Sequence, residues 1–324
     1  MSLNRKSRTI IALAVVGALV LSGGFAFAYY STGQSSDKMQ VVATFYPLYY
    51  FSSEIGKDKA DVSMLIPDNA EPHSWEPRPS DVVKVDKADI LVYNGAGFEP
   101  WMDEFLELTT KKEVVVVDTS KNVSLMEGHD HDHEEGEEHD HEEEEHDHGP
   151  NDPHFWLDPR SAKVQVDNIL AAFVEADPDN ADFYEANAED LKSRLDALDQ
   201  EFADGLADRT KDDIVTTHEG FNYLAARYGF NVHSVMGIYA DTGDITPEAM
   251  AELEDLINDL GIGYIFGEPT YSDTTIESLA HDTGAEVLIL DGIHGRSGPH
   301  ADMDYFEIMR ANLQALRTGL GVST

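Results

Sequence analysis

Fourteen histidines and no cysteine bound the metal chemistry of this 324-residue chain. A zinc site here must be built from His, Asp or Glu. Eight of the histidines fall in EGHDHDHEEGEEHDHEEEEHDHGPNDPH, residues 127–154. Seven of them, His129, His131, His133, His139, His141, His146 and His148, alternate with acids, and His154 follows a Pro-Asn-Asp-Pro break. The stretch 127–149 has almost no apolar residues and cannot bury a core, so it reads as a disordered loop. Ordering such a segment around an ion costs about 1–2 kcal/mol of backbone entropy per residue. The loop is therefore expected to be an accessory site that collects several ions weakly, with the tight site elsewhere.

Four other residues sit where a parallel sheet places ligands, just beyond the carboxyl ends of strands. His73 lies in NAEPHSWEPRPSD, after the second strand-like run. His154 lies in NDPHFWLDP, ahead of a helix that Asp158 would cap and Pro159 would start. His218 ends DIVTTH, and Asp291 ends EVLILD. Three imidazoles and one carboxylate meeting between two domains would close a tetrahedral zinc site. Glu219 adjoins His218, and a shift of one residue would put it in that place. His294 and His300 follow Asp291 and read as surface residues, with a second pair of ligands as the alternative reading. Glu268, in GEPTYS, has the chemistry of a general base but reads as a structural residue on the cleft floor.

The elements that must position these residues are legible as alternation. Residues 39–47, 61–67, 89–97 and 113–120 are apolar runs separated by helical patterns near 48–56, 78–88 and 99–108. After residue 210 the pattern resumes, with strands at 212–218, 231–238, 263–269 and 285–291 and helices between and after them. Apolar strands alternating with helices predict two α/β lobes, each a parallel sheet flanked by helices. Tyr184, Ala188, Leu191, Leu195, Leu198 and Phe202 mark one long backbone helix within 177–209 that bridges the lobes 39–176 and 210–324. Arg5, Lys6 and Arg8 precede an apolar run from Ile10 to Ala28, so residues 1–30 read as a signal peptide or an N-terminal membrane anchor. Residues 31–38 read as a flexible tether.

PHSWEPRPSD, DPHFWLDP, THEGFNYLAARYGF, FGEPTYS followed by IESLAHDTGAEVLILD, and YFEIMRANLQAL resemble, in order, the motifs of the zinc and manganese solute-binding receptors of ABC transporters, the ZnuA type. The resemblance spans about residues 39 to 320. It implies two α/β lobes bridged by a long helix, with a metal site in the interlobe cleft. Carried over by motif, the ligands would be His73, His154, His218 and Asp291. It also implies Zn(II) as a transported ligand, delivered to the permease of an importer and through it to a cytoplasmic ATPase. The acidic, histidine-rich loop resembles that of the zinc-specific branch; a manganese receptor is the alternative within the family.

Charge and missing motifs exclude other classes. Lys plus Arg number 22 against 63 acids, a formal charge of −41, and the 13 acids of the His-rich loop account for only part of it. Such a surface repels nucleic acid. No nucleotide-binding G-x-x-x-x-G-K-[ST] loop occurs, so ATP hydrolysis must come from another chain. There is no H-E-x-x-H, and four protein ligands leave no open position for a catalytic water, which argues against an enzyme. A zinc-dependent hydrolase and a metal-binding adhesin stand as the alternatives outside transport. The expectation is an extracytoplasmic monomer that touches the membrane through its N-terminal segment and the permease.

Overall fold

Alternate residues of the strands face two different cores. The computed structural model describes residues 38–110, 113–128, 151–237, 247–271 and 274–323. The N-terminal segment 1–30, the tether up to residue 37 and the seven loop histidines lie outside these residues. Strands β1 (Met39–Ala43), β2 (Ala60–Met64), β3 (Ile90–Tyr93) and β4 (Val115–Asp118) form a parallel sheet in the order β2-β1-β3-β4. Strands β5 (Asp213–His218), β6 (Asn231–Met236), β7 (Tyr264–Gly267) and β8 (Glu286–Ile289) form a second, in the order β6-β5-β7-β8. The two sheets repeat one topology. In each, strand order reverses between the first and third strands, and the crevice beyond the carboxyl ends at such a point is the usual ligand position.

Nine α-helices are found among the described residues: α1 (Tyr46–Gly56), α2 (Pro79–Val85), α3 (Met102–Leu108), α4 (Pro159–Ala176), α5 (Ala181–Gly205), α6 (Asn222–Tyr228), α7 (Pro247–Leu260), α8 (Thr274–Thr283) and α9 (Tyr305–Gly319). Helix α4 begins as its sequence dictates. The Asp158 carboxylate accepts from the backbone N–H of Arg160 at 3.1 Å and of Ser161 at 3.2 Å, and Pro159 opens the first turn. Helix α5 is the bridging helix, with Tyr184, Ala188, Leu191, Leu195, Leu198 and Phe202 as its buried stripe. It is shorter than the expected 177–209, because Pro178–Asn180 form a 3-10 turn. Its 25 residues extend roughly 37 Å at 1.5 Å per residue.

One hydrophobic core joins the inner faces of both sheets. Val41, Ala43, Ile90 and Val92 share it with Ile214, Phe266 and Leu290, and the α5 stripe runs through it. The intervening strand residues face outward into two separate clusters. Val42 and Leu91 pack with Phe105 on one side, and Val215 and Ile265 pack with Leu279 on the other. A common inner core stiffens the pair of sheets against wide opening. Among the described residues no helix is long and apolar enough to cross a membrane.

Candidate metal centre

Four buried imidazoles converge between the carboxyl ends of the two sheets. One ligand atom from each of His73, His154, His218 and His294 lies within 4.8 Å of the other three. His73 sits on the connection between β2 and α2, where Glu71 accepts from its backbone N–H at 3.1 Å and from that of Ser74 at 2.7 Å. His154 precedes the turn Phe155–Leu157 that leads into α4. The Asn94 side chain, just past β3, donates to the Pro153 carbonyl at 2.9 Å and holds that segment in place. His218 is the last residue of β5. His294 follows β8 by way of Ile293, whose φ of 57° is left-handed.

Carboxylates set the tautomers of the two central rings. His154 Nδ1 lies 2.8 Å from Asp152 Oδ1, and His218 Nδ1 lies 2.5 Å from Glu268 Oε1. Nδ1–H donates to the carboxylate in each case, so each Nε2 presents a lone pair to the cleft. The two Nε2 atoms are 3.2 Å apart. Two ligands of a tetrahedral zinc are about 3.3 Å apart when Zn–N is about 2.0–2.1 Å. Two facing acceptors at this spacing suit a shared cation.

The electrostatics also favour neutral rings at His154 and His294. Burial pushes the His154 pKa down, against the pull of Asp152. Burial, followed by repulsion from His218, His154 and His73, holds His294 well below the usual histidine value. Burial raises the Glu268 carboxyl, and His218 opposes it. A divalent ion among neutral rings would have Asp152 and Glu268 directly behind two of them to offset its charge. Glycine supplies the space. A Cβ on Gly220 would lie 2.4 Å from His218 Nε2 and 2.5 Å from its Cε1, in collision with the ring.

The sequence expectation is met unevenly in space. His73, His154 and His218 come together. Glu219, the alternative to His218, turns to accept from Asn222 Nδ2 at 2.9 Å. Asp291 lies outside the cluster, and His294, three residues on, stands within it. One Asp291 oxygen accepts from the Ile293 N–H at 2.8 Å, and the other lies 2.8 Å from His300 Nδ1. Its backbone N–H and C=O are both held by the Asn312 amide at 2.8 Å. Asp291 and His300 thus pair with each other behind the turn that carries His294. The sequence reading places Glu268 on the cleft floor as a structural residue without a histidine partner, and it singles out none of Asp152, Gly220 and Gly292. The Asp-x-His spacing of NDPH and the position of Glu268 just past β7 were the available signals.

Two parallel sheets joined by a long helix, with buried imidazoles between them, define a cation-binding protein of the two-lobed receptor class. The family model for the periplasmic component A of zinc-uptake complexes matches residues 41–319, and the chain belongs to that family. The high-affinity zinc uptake system protein ZnuA of Bacillus subtilis is 35% identical over 99% of this chain and 99% of its own length. The zinc-binding protein AdcA of Streptococcus pyogenes is 36% identical over 86% of this chain, which spans 56% of that protein. The Zn(II)-bound ZnuA-like domain of Streptococcus pneumoniae AdcA superposes with a TM-score of 0.73 at 28% identity, over 87% of this chain and 99% of the domain.

Proposed function

We propose that this chain is an extracytoplasmic receptor that binds one zinc ion through His73, His154, His218 and His294 and delivers it to an ABC-type importer. The observation that carries the ligand assignment is the convergence of those four buried rings from both sheets. Membership of the zinc-uptake family supports zinc as cargo and a receptor in place of an enzyme. An all-nitrogen set suits zinc, whereas manganese prefers oxygen donors. The permease that receives the ion, its ATPase and a monomeric receptor are the partners and state we assign. The histidine-rich segment ending at His148 is assigned the role of weak collector. Its flanks are joined across Glu127 and Asn151, which form a β-bridge immediately before Asp152.

The test is a competition titration of the purified chain with zinc and with manganese. Tight zinc binding that a large excess of manganese fails to displace is the expected result. Preferential manganese binding would favour the other branch of the family. Binding also stabilises the folded state, by about 2.7 kcal/mol when zinc is at one hundred times its dissociation constant, so melting temperature offers an independent readout.

A further inference from the structure

Glu268 has one oxygen in use and one idle. Oε1 meets His218 Nδ1 at 2.5 Å, while Oε2 is buried and accepts no hydrogen bond among the described residues. His294 is 2% exposed, and neither of its ring nitrogens has a hydrogen-bond partner among those residues. A buried carboxylate oxygen without a donor and a buried ring nitrogen without a partner are each costly. Both stand at one notch in the backbone. A Cβ on Gly292 would lie 2.9 Å from Glu268 Oε2 and 3.0 Å from His294 Nδ1. Gly292 is pinned there, because the Trp156 indole N–H donates to its carbonyl at 2.8 Å. Tyr271, whose ring lies 4.9 Å from that of His218, does not supply the missing donor, since its hydroxyl is directed to Glu71 at 3.3 Å.

We propose that Glu268 is a positioning residue for both histidines of the second sheet, orienting His218 through Oε1 and His294 through Oε2 across the Gly292 notch. This rests on the zinc-receptor reading above. Rotation of the His294 ring would direct its Nδ1–H toward Oε2, since both atoms border the same notch. Nε2 then faces the ion, in the tautomer that Asp152 and Glu268 already give His154 and His218. Both idle groups are satisfied by that single motion. One carboxylate then holds two of the four ligands and stands behind the ion as its counter-charge. Gly292 is required because any side chain would occupy the space between them.

The experiment is a double-mutant cycle on zinc affinity in the full-length chain, using Glu268→Gln and His294→Ala. Loss of an outer partner of a metal-bound histidine typically weakens binding about 10–100-fold, and Glu268→Gln is expected in that range. Because part of its effect passes through His294, the double variant should lose less than the product of the two single losses. Nitrogen-15 NMR of the zinc-loaded protein should find Nδ1–H on both His218 and His294 in the wild type, and an altered His294 in Glu268→Gln. Gly292→Ala leaves both partners present but fills the notch, and should weaken zinc while the zinc-free melting temperature reports an intact fold. Single losses that multiply, a His294 signal indifferent to Glu268→Gln, or full affinity in Gly292→Ala would each overturn the assignment. A wild-type chain that binds no zinc tightly would overturn the receptor reading itself, and this assignment with it.

Discussion

His294 and Asp291 are three residues apart, yet among the described residues only the histidine joins the cluster of imidazoles. The reason is local. Asp291 spends its carboxylate on the Ile293 N–H and on His300, and the left-handed Ile293 swings the next side chain inward. A β-branched residue in that region is strained, and Asp291 and Asn312 are the groups that hold the turn. His294→Ala should therefore weaken zinc by more than the roughly 10–100-fold typical of losing an outer partner. Asp291→Asn retains the oxygen that accepts from Ile293 and should have the smaller effect. Isothermal titration of the two variants side by side decides the point, and the reverse order of losses would return Asp291 to the ligand set.

At the scale of elements, eight parallel strands and the bridging helix were legible because burial on both faces demands apolar runs and burial on one face demands a helical stripe. Strand ends were not. The run 89–97 stops as a strand at Tyr93, because Gly95, Ala96 and Gly97 all take positive φ in the turn that follows. The run 39–47 stops at Ala43, because α1 starts at Tyr46. Three of the four converging histidines were legible from strand ends alone. The fourth was not, since the turn from Asp291 to His294 has no periodicity to read, and Asp152 and Glu268 act only through the rings they orient. Glu99 belongs to this scale too. Its carboxylate accepts from Thr44 Oγ1 at 2.6 Å and from the N–H groups of Asn94 and Gly95 at 2.9 and 3.1 Å, tying β1 to the turn after β3. Burial lifts its pKa from 4.5 to about 7, aided by Asp118 and opposed by those three donors. A carboxyl raised in the folded state stabilises the fold fully below its unfolded value and loses that contribution as pH rises through the folded one. At about 1.4 kcal/mol per unit, the change is on the order of 3 kcal/mol. Glu99→Gln removes the titrating group, so unfolding free energies measured from pH 4.5 to 7 should decline less with pH in the variant than in the wild type. Identical slopes would show that Glu99 does not titrate in this range.

For the whole molecule, the shared inner core and the helix α5 make wide separation of the sheets expensive, because it would expose residues such as Leu191, Leu195 and Phe202 that are now fully buried. Ion exchange is then expected to move loops more than lobes. Small-angle scattering should give nearly the same radius of gyration with and without zinc, whereas a clear contraction on binding would point to hinged closure. The formal charge of −41 draws cations to the entire surface, so the decisive measurement must separate collection from tight binding. It is the zinc stoichiometry and affinity of a chain lacking residues 129–150, compared with the same chain carrying alanine at His73, His154, His218 and His294. The deletion is closed by partners already in contact, since Glu127 pairs with Asn151 and the Asp152 N–H donates to Met126 at 3.0 Å. The account predicts that the shortened chain keeps one tightly bound zinc and that the four substitutions abolish it. Loss of the tight ion on deletion alone, or its survival in the fourfold variant, would contradict the claim that these four histidines hold the cargo.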